Sequence, residues 1–183
     1  MFFKYRYIPN YLSLLRVFLT PIFTFTMFQN TLFYKLISLN LFFLASLSDF
    51  LDGYIARKYD FVSNFGKNID PISDKILVIS SFIVLSILYP SVVPVWMIFL
   101  IVLRDVLVTA LRYYRLSTSY PVKTSFIAKK KTLIQIIIIH LILILHIINP
   151  GYIVDNSYLY FIILLSVILS WFSALAYLYP TKK

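Results

Sequence analysis

The chain has 183 residues, of which 61% are hydrophobic and 13% are charged, and it contains no cysteine. A soluble domain is usually about 45–50% apolar and about 25% charged, so the composition excludes an ordinary soluble protein. The lack of cysteine excludes disulfides and thiolate metal sites. Cationic loops against anionic lipid head groups explain the net charge of +10 more simply than nucleic-acid binding does, and we find no nucleic-acid motif.

The apolar runs predict an all-α integral membrane protein. At about 20 residues per span, the length allows roughly six transmembrane helices, and we expect a single domain over residues 1–183. The predicted spans are 11–28, 32–58, 70–88, 95–116, 132–148 and 157–179. No small-residue cleavage site follows the first apolar run, so we expect a retained span rather than a signal peptide. Residues 59–69 are polar and predict a connection between the second and third spans.

The distribution of basic residues predicts the orientation. With six spans, both termini share one side of the membrane with the loops after the second and fourth spans. The opposite side carries only Lys35, with Asp155 in its last loop. Positively charged loops stay in the cytoplasm, so we expect both termini and the active site there, in a multi-pass protein of the cell membrane. The residues predicted on the cytoplasmic side are Lys4, Arg6, Arg57, Lys58, Lys67, Arg112, Arg115, Lys123, Lys129, Lys130, Lys131, Lys182 and Lys183.

The acidic residues are concentrated in one stretch. The chain has seven, all of them aspartate, and five lie between positions 49 and 74, namely Asp49, Asp52, Asp60, Asp70 and Asp74. Asp49 and Asp52 are three residues apart, and Asp70 and Asp74 are four apart, so each pair shares one face of its helix. Ionisable residues at the edge of a membrane span are costly, and they mark functional sites.

Packing these two faces together would place four carboxylates around one cleft. Carboxylates so close raise each other's pKa unless a positive charge neutralises them. Hard cations such as Mg²⁺ take carboxylate and phosphate oxygens, and a pair of ions can clamp phosphoryl chemistry. Gly53 and Ala56 share the face of the first pair, and their small size would let a ligand come close. Alternatively, each single aspartate could be a solvated interface residue, and Asp70 could cap a helix that begins at Pro71.

The spacing of this stretch resembles a family signature. The CDP-alcohol phosphotransferases are integral-membrane enzymes that move a phosphoryl-linked group from a CDP-activated donor to an alcohol. Their motif has eight fixed positions, and this chain matches it without a departure. The matching residues are Asp49, Asp52, Gly53, Ala56, Arg57, Gly66, Asp70 and Asp74.

The resemblance extends along most of the chain, toward the bacterial subgroup that uses glycerol 3-phosphate as acceptor. One departure is Ala128, which stands where the family commonly has glycine. The further residues that carry the resemblance are Ile8, Pro9, Asn10, Ser13, Arg16, Pro21, Arg104, Asp105, Leu111, Arg112, Lys129, Lys131, Thr132 and Gln135.

The resemblance implies a reaction and roles for the residues. The phosphatidyl group of CDP-diacylglycerol would pass to glycerol 3-phosphate, giving phosphatidylglycerophosphate and CMP. Asp49, Asp52 and Asp70 would bind Mg²⁺ or Mn²⁺, as two ions. Asp74 would complete the metal site and act as the catalytic base. The donor-binding residues implied are Gly53, Ala56, Arg57, Ser63 and Gly66, although Arg57 could equally be a cytoplasmic anchor. The family is commonly dimeric, so the resemblance is compatible with a homodimer.

A second site is predicted from basic residues. Arg104 lies in the middle of the fourth span, and its neighbour Asp105 need not pair with it, because adjacent residues on a helix do not face each other. A membrane arginine without an obvious partner favours an anion, and a guanidinium suits bidentate phosphate binding. We therefore expect an acceptor-phosphate site, although its lysines could instead be loop charges at the lipid surface. Its predicted members are Arg104, Arg112, Lys129 and Lys131.

Other polar and aromatic residues favour structural roles. His140 and His146 lie on an apolar helix without acidic neighbours, so we expect them in the core or at an interface. Asp155 is predicted to be a loop residue. Trp96 and Trp171 fit interfacial belts and helix packing.

Two alternatives remain. The chain could be a related family member with another acceptor, such as a cardiolipin, phosphatidylinositol phosphate or phosphatidylserine synthase. It could also be a divalent-cation transporter with an acidic site inside the membrane. The four aspartates cluster at the predicted cytoplasmic ends of two helices, which favours a lipid-accessible cleft over a path through the membrane.

Overall fold

The regular structure is α-helical throughout the residues that the computed structural model describes, which are 8–59, 64–117, 126–155 and 157–178. Within those helices, side chains are described for residues 11–51, 73, 75–111, 114, 131–154 and 157–174. The helices are α1 Ile8–Met27, α2 Leu32–Tyr59, α3 Asn64–Leu88, α4 Val95–Ser117, α5 Phe126–Ile148, α6 Pro150–Asp155 and α7 Ser157–Leu178.

Several of these helices are suited to a bilayer. In the described part of the chain, three stretches are long and apolar enough to cross a membrane, namely Leu32–Leu51, Lys131–Ile148 and Ser157–Ala174. Shorter apolar helical stretches cover Tyr11–Met27 and Lys75–Leu88. The prediction of an all-helical membrane protein is therefore confirmed, and the number of six spans stays a prediction.

Two helices begin earlier than the hydropathy predicts. α3 begins at Asn64, inside the segment 59–69 that we expected to be a polar connection. Asp70 therefore lies within the helix and does not cap it. α5 begins at Phe126, so Lys129 and Lys131 are helical and are not loop residues. Hydropathy detects only the apolar part of a helix, whereas these helices continue into polar sequence beyond it.

A short helix, α6, occupies a segment predicted as a loop. The Asn149 side-chain Oδ1 accepts a hydrogen bond from the backbone N–H of Tyr152 at 3.2 Å. This is the bond of an N-cap residue to the third helical position, and Pro150 supplies the first helical residue. The Asn-Pro pair is thus a local helix start that the apolar pattern could not reveal.

α1 packs against both α2 and α3. An aromatic contact joins α1 to α2: the ring centroids of Phe23 and Phe42 are 5.6 Å apart, and both side chains are buried. Small polar residues also meet there: the Ser38 hydroxyl donates to Thr26 Oγ1 at 3.0 Å. Small hydroxyl residues let membrane helices approach closely, which is how α1 can reach both neighbours.

The two histidines of α5 join it to the rest of the bundle. The ring of His140 lies 4.7 Å from that of Phe42 on α2. His146 is buried and hydrogen-bonds through Nδ1 to the Tyr89 hydroxyl, and Lys35 Nζ donates to the His146 carbonyl oxygen at 3.2 Å. Burial raises the pKa of Tyr89, so its hydroxyl keeps its proton. The prediction that both histidines are core or interface residues is confirmed.

The Phe42 side chain tests this packing. Replacing Phe42 by alanine removes contacts to both α1 and α5, so the free energy of unfolding should fall by about 2–4 kcal/mol. Thermal unfolding of the detergent-solubilised protein measures the change. Phe33, on the same helix and 68% exposed, is the matched control, and its replacement by alanine should leave the melting temperature nearly unchanged. Equal losses for the two variants would contradict the packing described.

Candidate functional site

The four predicted aspartates lie on two helices. Asp49 and Asp52 are on α2, and Asp70 and Asp74 are on α3, as the spacing predicts. The Asp49 side chain lies among the described residues, and those of the other three lie outside them. The structure therefore confirms that the two pairs lie on two helices, and it describes the side-chain contacts of Asp49 alone among the four.

A buried arginine from α1 contacts the acidic region. Arg16 is fully buried, and its Nη1 lies 3.2 Å from Asp49 Oδ1. The same Nη1 donates to Ser73 Oγ at 3.2 Å. Asp49 is on α2, whereas Ser73 is on α3 between Asp70 and Asp74. One guanidinium therefore brings the acidic segments of the two helices to a common point.

Arg16 supplies a counter-charge that the sequence argument sought in a metal ion. Arg16 was named in the sequence as a charged residue inside the first span and as part of the family resemblance, but it was given no role in the site, and Ser73 was missed. A charged residue one or two turns inside an apolar helix is the signal that could have identified Arg16. The backbone around Arg16 is held as well, because Thr20 Oγ1 donates to the Arg16 carbonyl oxygen at 2.8 Å.

The acidic region contains the type of ligand atom, carboxylate oxygen, that a hard divalent cation prefers. Carboxylate oxygens are the ligands that Mg²⁺ takes, and the contacts of Arg16 bring the two carboxylate-bearing helices together. Among residues with described side chains, no cluster of three potential metal ligands is found. The side chains of Asp52, Asp70 and Asp74, on which the predicted metal site depends, lie outside that set.

The predicted donor-binding residues are also on these two helices. Gly53, Ala56 and Arg57 lie in the last turns of α2, and Gly66 lies in the first turn of α3. Their side chains are outside the described set, and Ser63 lies outside the described residues altogether. Their roles stay predictions.

A second charged cluster joins α4, α5 and α7. Arg104 Nη1 donates to Asp105 Oδ1 at 2.9 Å, and Lys131 Nζ donates to the same oxygen at 2.6 Å. Arg104 also donates from Nε to the Ser170 carbonyl oxygen at 3.1 Å and from Nη2 to Ser173 Oγ at 2.6 Å. Arg104 and Lys131 are 6% and 7% exposed, so these charges are taken out of solvent.

The expectation that Arg104 lacks a partner is wrong. Helical geometry separates the Cβ atoms of adjacent residues, but the arginine side chain is long enough to reach back to the carboxylate of Asp105. Ser170 and Ser173, three residues apart on α7, hold the rest of the guanidinium. The assignment of Arg104 and Lys131 to an acceptor site stays a prediction, as does that of Arg112 and Lys129. These last two lie on α4 and α5, with side chains outside the described set.

α3 connects the acidic region to the cationic cluster. Ser73 accepts a hydrogen bond from Arg16 of α1. Lys75, two residues on, donates to Thr109 Oγ1 of α4 at 2.5 Å and to the Asp105 carbonyl oxygen at 3.4 Å. Asp74 lies between these two contacts in the chain. Its backbone is therefore placed at the boundary between the acidic and the cationic regions.

Comparisons with known proteins identify the family. The sequence model of one family, CDP-alcohol phosphatidyltransferase, matches residues 6–176. A CDP-diacylglycerol–glycerol-3-phosphate 3-phosphatidyltransferase of Rickettsia bellii is 38% identical over 134 residues, which are 73% of each chain. The protein of the same name from Bacillus subtilis is 35% identical over 144 residues, covering 72% of this chain and 74% of its own. A human cardiolipin synthase (CMP-forming) is 32% identical over 150 residues, covering 72% of this chain and 48% of its own.

The Arg16 contact tests the coupling of α1, α2 and α3. Replacing Arg16 by methionine keeps a long side chain but leaves Asp49 without this cation, so the free energy of unfolding should fall by about 2–4 kcal/mol. Arg16→Lys keeps the charge and should recover part of the loss. The melting temperature in detergent, measured for both variants, reports the change. A methionine variant as stable as the original protein would contradict the stabilising role assigned to the ion pair.

Proposed function

We propose that this chain, which belongs to the CDP-alcohol phosphatidyltransferase family, transfers the phosphatidyl group of CDP-diacylglycerol to glycerol 3-phosphate. The observation that carries the proposal is the convergence of the two aspartate-bearing helices on Arg16. The names of the Rickettsia and Bacillus relatives, which share 38% and 35% of the aligned residues, support the same donor and acceptor.

The proposed reaction breaks the phosphoanhydride bond of CDP-diacylglycerol and forms a phosphate ester bond to the acceptor. A hydroxyl oxygen of glycerol 3-phosphate attacks the phosphorus that bears the diacylglycerol group. The bond from that phosphorus to the oxygen bridging it to CMP breaks, and CMP leaves with this oxygen. The hydroxyl proton passes to Asp74, whose backbone lies between the Arg16 and Lys75 contacts. An aspartate is a weak base at neutral pH, so the proton must be acidified by its setting before it is transferred.

The proposed metal site consists of Asp49, Asp52, Asp70 and Asp74, and family members generally depend on a divalent metal. Two Mg²⁺ or Mn²⁺ ions bound there would stabilise the negative charge that develops on the pyrophosphate. Arg16 fixes the position of Asp49 relative to α3.

The proposed donor contacts lie beside the metal ligands. Gly53 and Ala56 would admit the CDP group to the surface of α2, because neither side chain fills the space beside the helix. Arg57, Ser63 and Gly66 would complete the donor contacts.

The acceptor phosphate would be held by cations on two neighbouring helices. Arg104 and Lys131 are buried, and each has hydrogen-bond donors beyond those used by Asp105. Arg112, eight residues after Arg104, and Lys129, two residues before Lys131, lie on the same two helices and would add charge. Glycerol 3-phosphate carries the phosphate that such a site requires.

The proposed topology has six spans, with both termini and the active site in the cytoplasm. The asymmetry of the basic residues supports it, since Lys35, near the start of the second span, is the one basic residue that this topology places at the opposite surface. The protein would be a single membrane domain of the cell membrane. A homodimer is compatible with the family.

A second candidate differs only in the acceptor. The human cardiolipin synthase matches 72% of this chain, which favours a lipid acceptor such as phosphatidylglycerol as the alternative.

The reaction can be measured directly. Purified protein with labelled glycerol 3-phosphate, CDP-diacylglycerol and Mg²⁺ should form phosphatidylglycerophosphate and CMP, and EDTA should stop the reaction until Mg²⁺ or Mn²⁺ is restored. Asp70→Ala should lower the rate by at least about a hundredfold, because a carboxylate ligand of the charge-stabilising site is lost. Asp155→Ala is the control and should keep the activity.

The same assay separates the candidate acceptors. Glycerol 3-phosphate, phosphatidylglycerol, inositol phosphate and serine are supplied in competition with one another. We expect glycerol 3-phosphate to be the one acceptor of the four from which product forms. Cardiolipin formation without phosphatidylglycerophosphate would replace the proposal by its alternative, and metal flux in liposomes without CDP-diacylglycerol would favour a transporter.

Single cysteines test the topology, because the natural chain has none. Lys183→Cys should react with a membrane-impermeant maleimide only after permeabilisation, and Asn30→Cys, in the exposed turn after α1, should react in intact spheroplasts. The reverse pattern would contradict the predicted orientation. Labelling of both sites in intact cells would contradict the even number of spans.

A further inference from the structure

Asp105 joins the two buried cations of the second cluster. Its Oδ1 accepts from Arg104 Nη1 at 2.9 Å and from Lys131 Nζ at 2.6 Å, so one oxygen serves both. The Asp105 side chain is 14% exposed. Taken without their backbone atoms, the side chains of Arg104 and Lys131 are 7% and 6% exposed. The carboxylate therefore fixes a cation of α4 and a cation of α5 in one place.

The two cations differ in how far they depend on Asp105. Arg104 is also held by the Ser170 carbonyl oxygen and Ser173 Oγ. Lys131 has Asp105 as its one hydrogen-bond partner among the described residues. Loss of the carboxylate would thus leave the guanidinium largely in place and release the ammonium group.

Both cations keep donors for a ligand. A guanidinium has five N–H groups, and the protein contacts use one each on Nε, Nη1 and Nη2, which leaves one on Nη1 and one on Nη2. An ammonium group has three N–H bonds, and Lys131 uses one of them on Asp105. Several donors on two adjacent positive groups match the oxygens of a phosphate.

We propose that Asp105 is a positioning residue that orients Lys131 and Arg104 for the dianionic phosphate monoester of the acceptor. The inference rests on the proposed function and extends it to a residue that makes no contact with the acceptor. Lys131 is buried beside Arg104, and Lys75 contacts the same turn of α4, so without the carboxylate an ammonium group at this position is disfavoured. Asp105 therefore keeps Lys131 both charged and oriented.

Two explanations of the role of Asp105 predict opposite changes in phosphate affinity for Asp105→Asn. In one, Asp105 affects only the net charge of the site, and in the other it positions Lys131. Removing a negative charge beside an anion site would tighten phosphate binding if only the net charge mattered. Positioning predicts weaker binding, because the variant loses the partner that holds Lys131. The sign of the change decides between the two.

Binding is measured by titrating sn-glycerol 3-phosphate into the detergent-solubilised holoenzyme with Mg²⁺ present. Asp105→Asn should raise the Kd for glycerol 3-phosphate about tenfold, the effect of weakening one charge-assisted hydrogen bond. The Kd for CDP-diacylglycerol should change less than about twofold, since the donor residues lie on other helices. Asp105→Glu should recover part of the affinity. Val106→Ala, at the neighbouring residue, which is 59% exposed, is the control for a change in α4.

A double variant tests whether the effect acts through Lys131. Lys131→Gln alone should weaken glycerol 3-phosphate binding, and adding Asp105→Asn should produce little further loss. Additive losses would overturn the inference, as would a Kd for Asp105→Asn equal to or below that of the original protein. Parallel losses for both substrates would identify a general structural role instead.

The outcome is distinguishable from that of the proposed function. Product formation by the original protein together with an unchanged Kd in Asp105→Asn overturns only the role of Asp105. Binding with the expected pattern but without phosphatidylglycerophosphate overturns only the proposed reaction. A failure of the original protein to bind glycerol 3-phosphate overturns the inference. The activity assay then tests separately whether the proposed reaction takes place. If Asp105→Asn does not fold, Asp105→Glu gives the test, because the longer side chain displaces the ammonium group. A raised Kd for glycerol 3-phosphate with an unchanged Kd for CDP-diacylglycerol then supports the inference, and an unchanged Kd for both substrates overturns it.

Discussion

The buried Arg16 guanidinium is the interaction on which the acidic site depends. A cation of this kind inside an apolar bundle is costly unless it is paired and hydrogen-bonded. Asp49 and Ser73 supply those partners from two different helices. Arg16 is fully buried, whereas the Asp49 side chain is 28% exposed. The ion pair therefore holds Asp49 on its buried side and leaves part of this carboxylate accessible.

α3 contributes a side chain to each of the two charged regions. Ser73 contacts Arg16 at the acidic region, and Lys75 contacts Thr109 at the cationic cluster. Successive residues on a helix point in different directions, so one turn can serve two regions on different sides. A donor with a pyrophosphate and an acceptor with a phosphate repel each other in solution. Separate sites of suitable charge on the two sides of one helix would allow both to bind within reach of Asp74.

Local spacing allowed much of this arrangement to be predicted. The spacing within each pair, Asp49 with Asp52 and Asp70 with Asp74, depends only on the helical repeat, so the placement of each pair on its own helix could be predicted from the sequence. The contact between Arg16 and Ser73 joins residues 57 positions apart, and no periodicity reports such a contact. The start of α3 at Asn64 was missed for a different reason, since a membrane helix can extend into polar sequence beyond its apolar part.

The pairing of Arg104 with Asp105 shows a limit of the helical wheel. The wheel compares the directions of Cβ atoms, but a guanidinium lies several bonds beyond its Cβ and can reach a neighbouring residue. The wheel likewise could not show that Lys131 would approach the same oxygen from α5.

Once these contacts are known, the choice of acceptor becomes a question of charge. A phosphate monoester carries about −1.5 to −2 at neutral pH, whereas the phosphodiester of a lipid such as phosphatidylglycerol carries about −1. Two buried cations that share a single carboxylate keep a net positive charge and several free donors. If these cations form the proposed acceptor site, the monoester would bind there more strongly than the diester, and this physical difference is the reason for proposing glycerol 3-phosphate over a lipid acceptor.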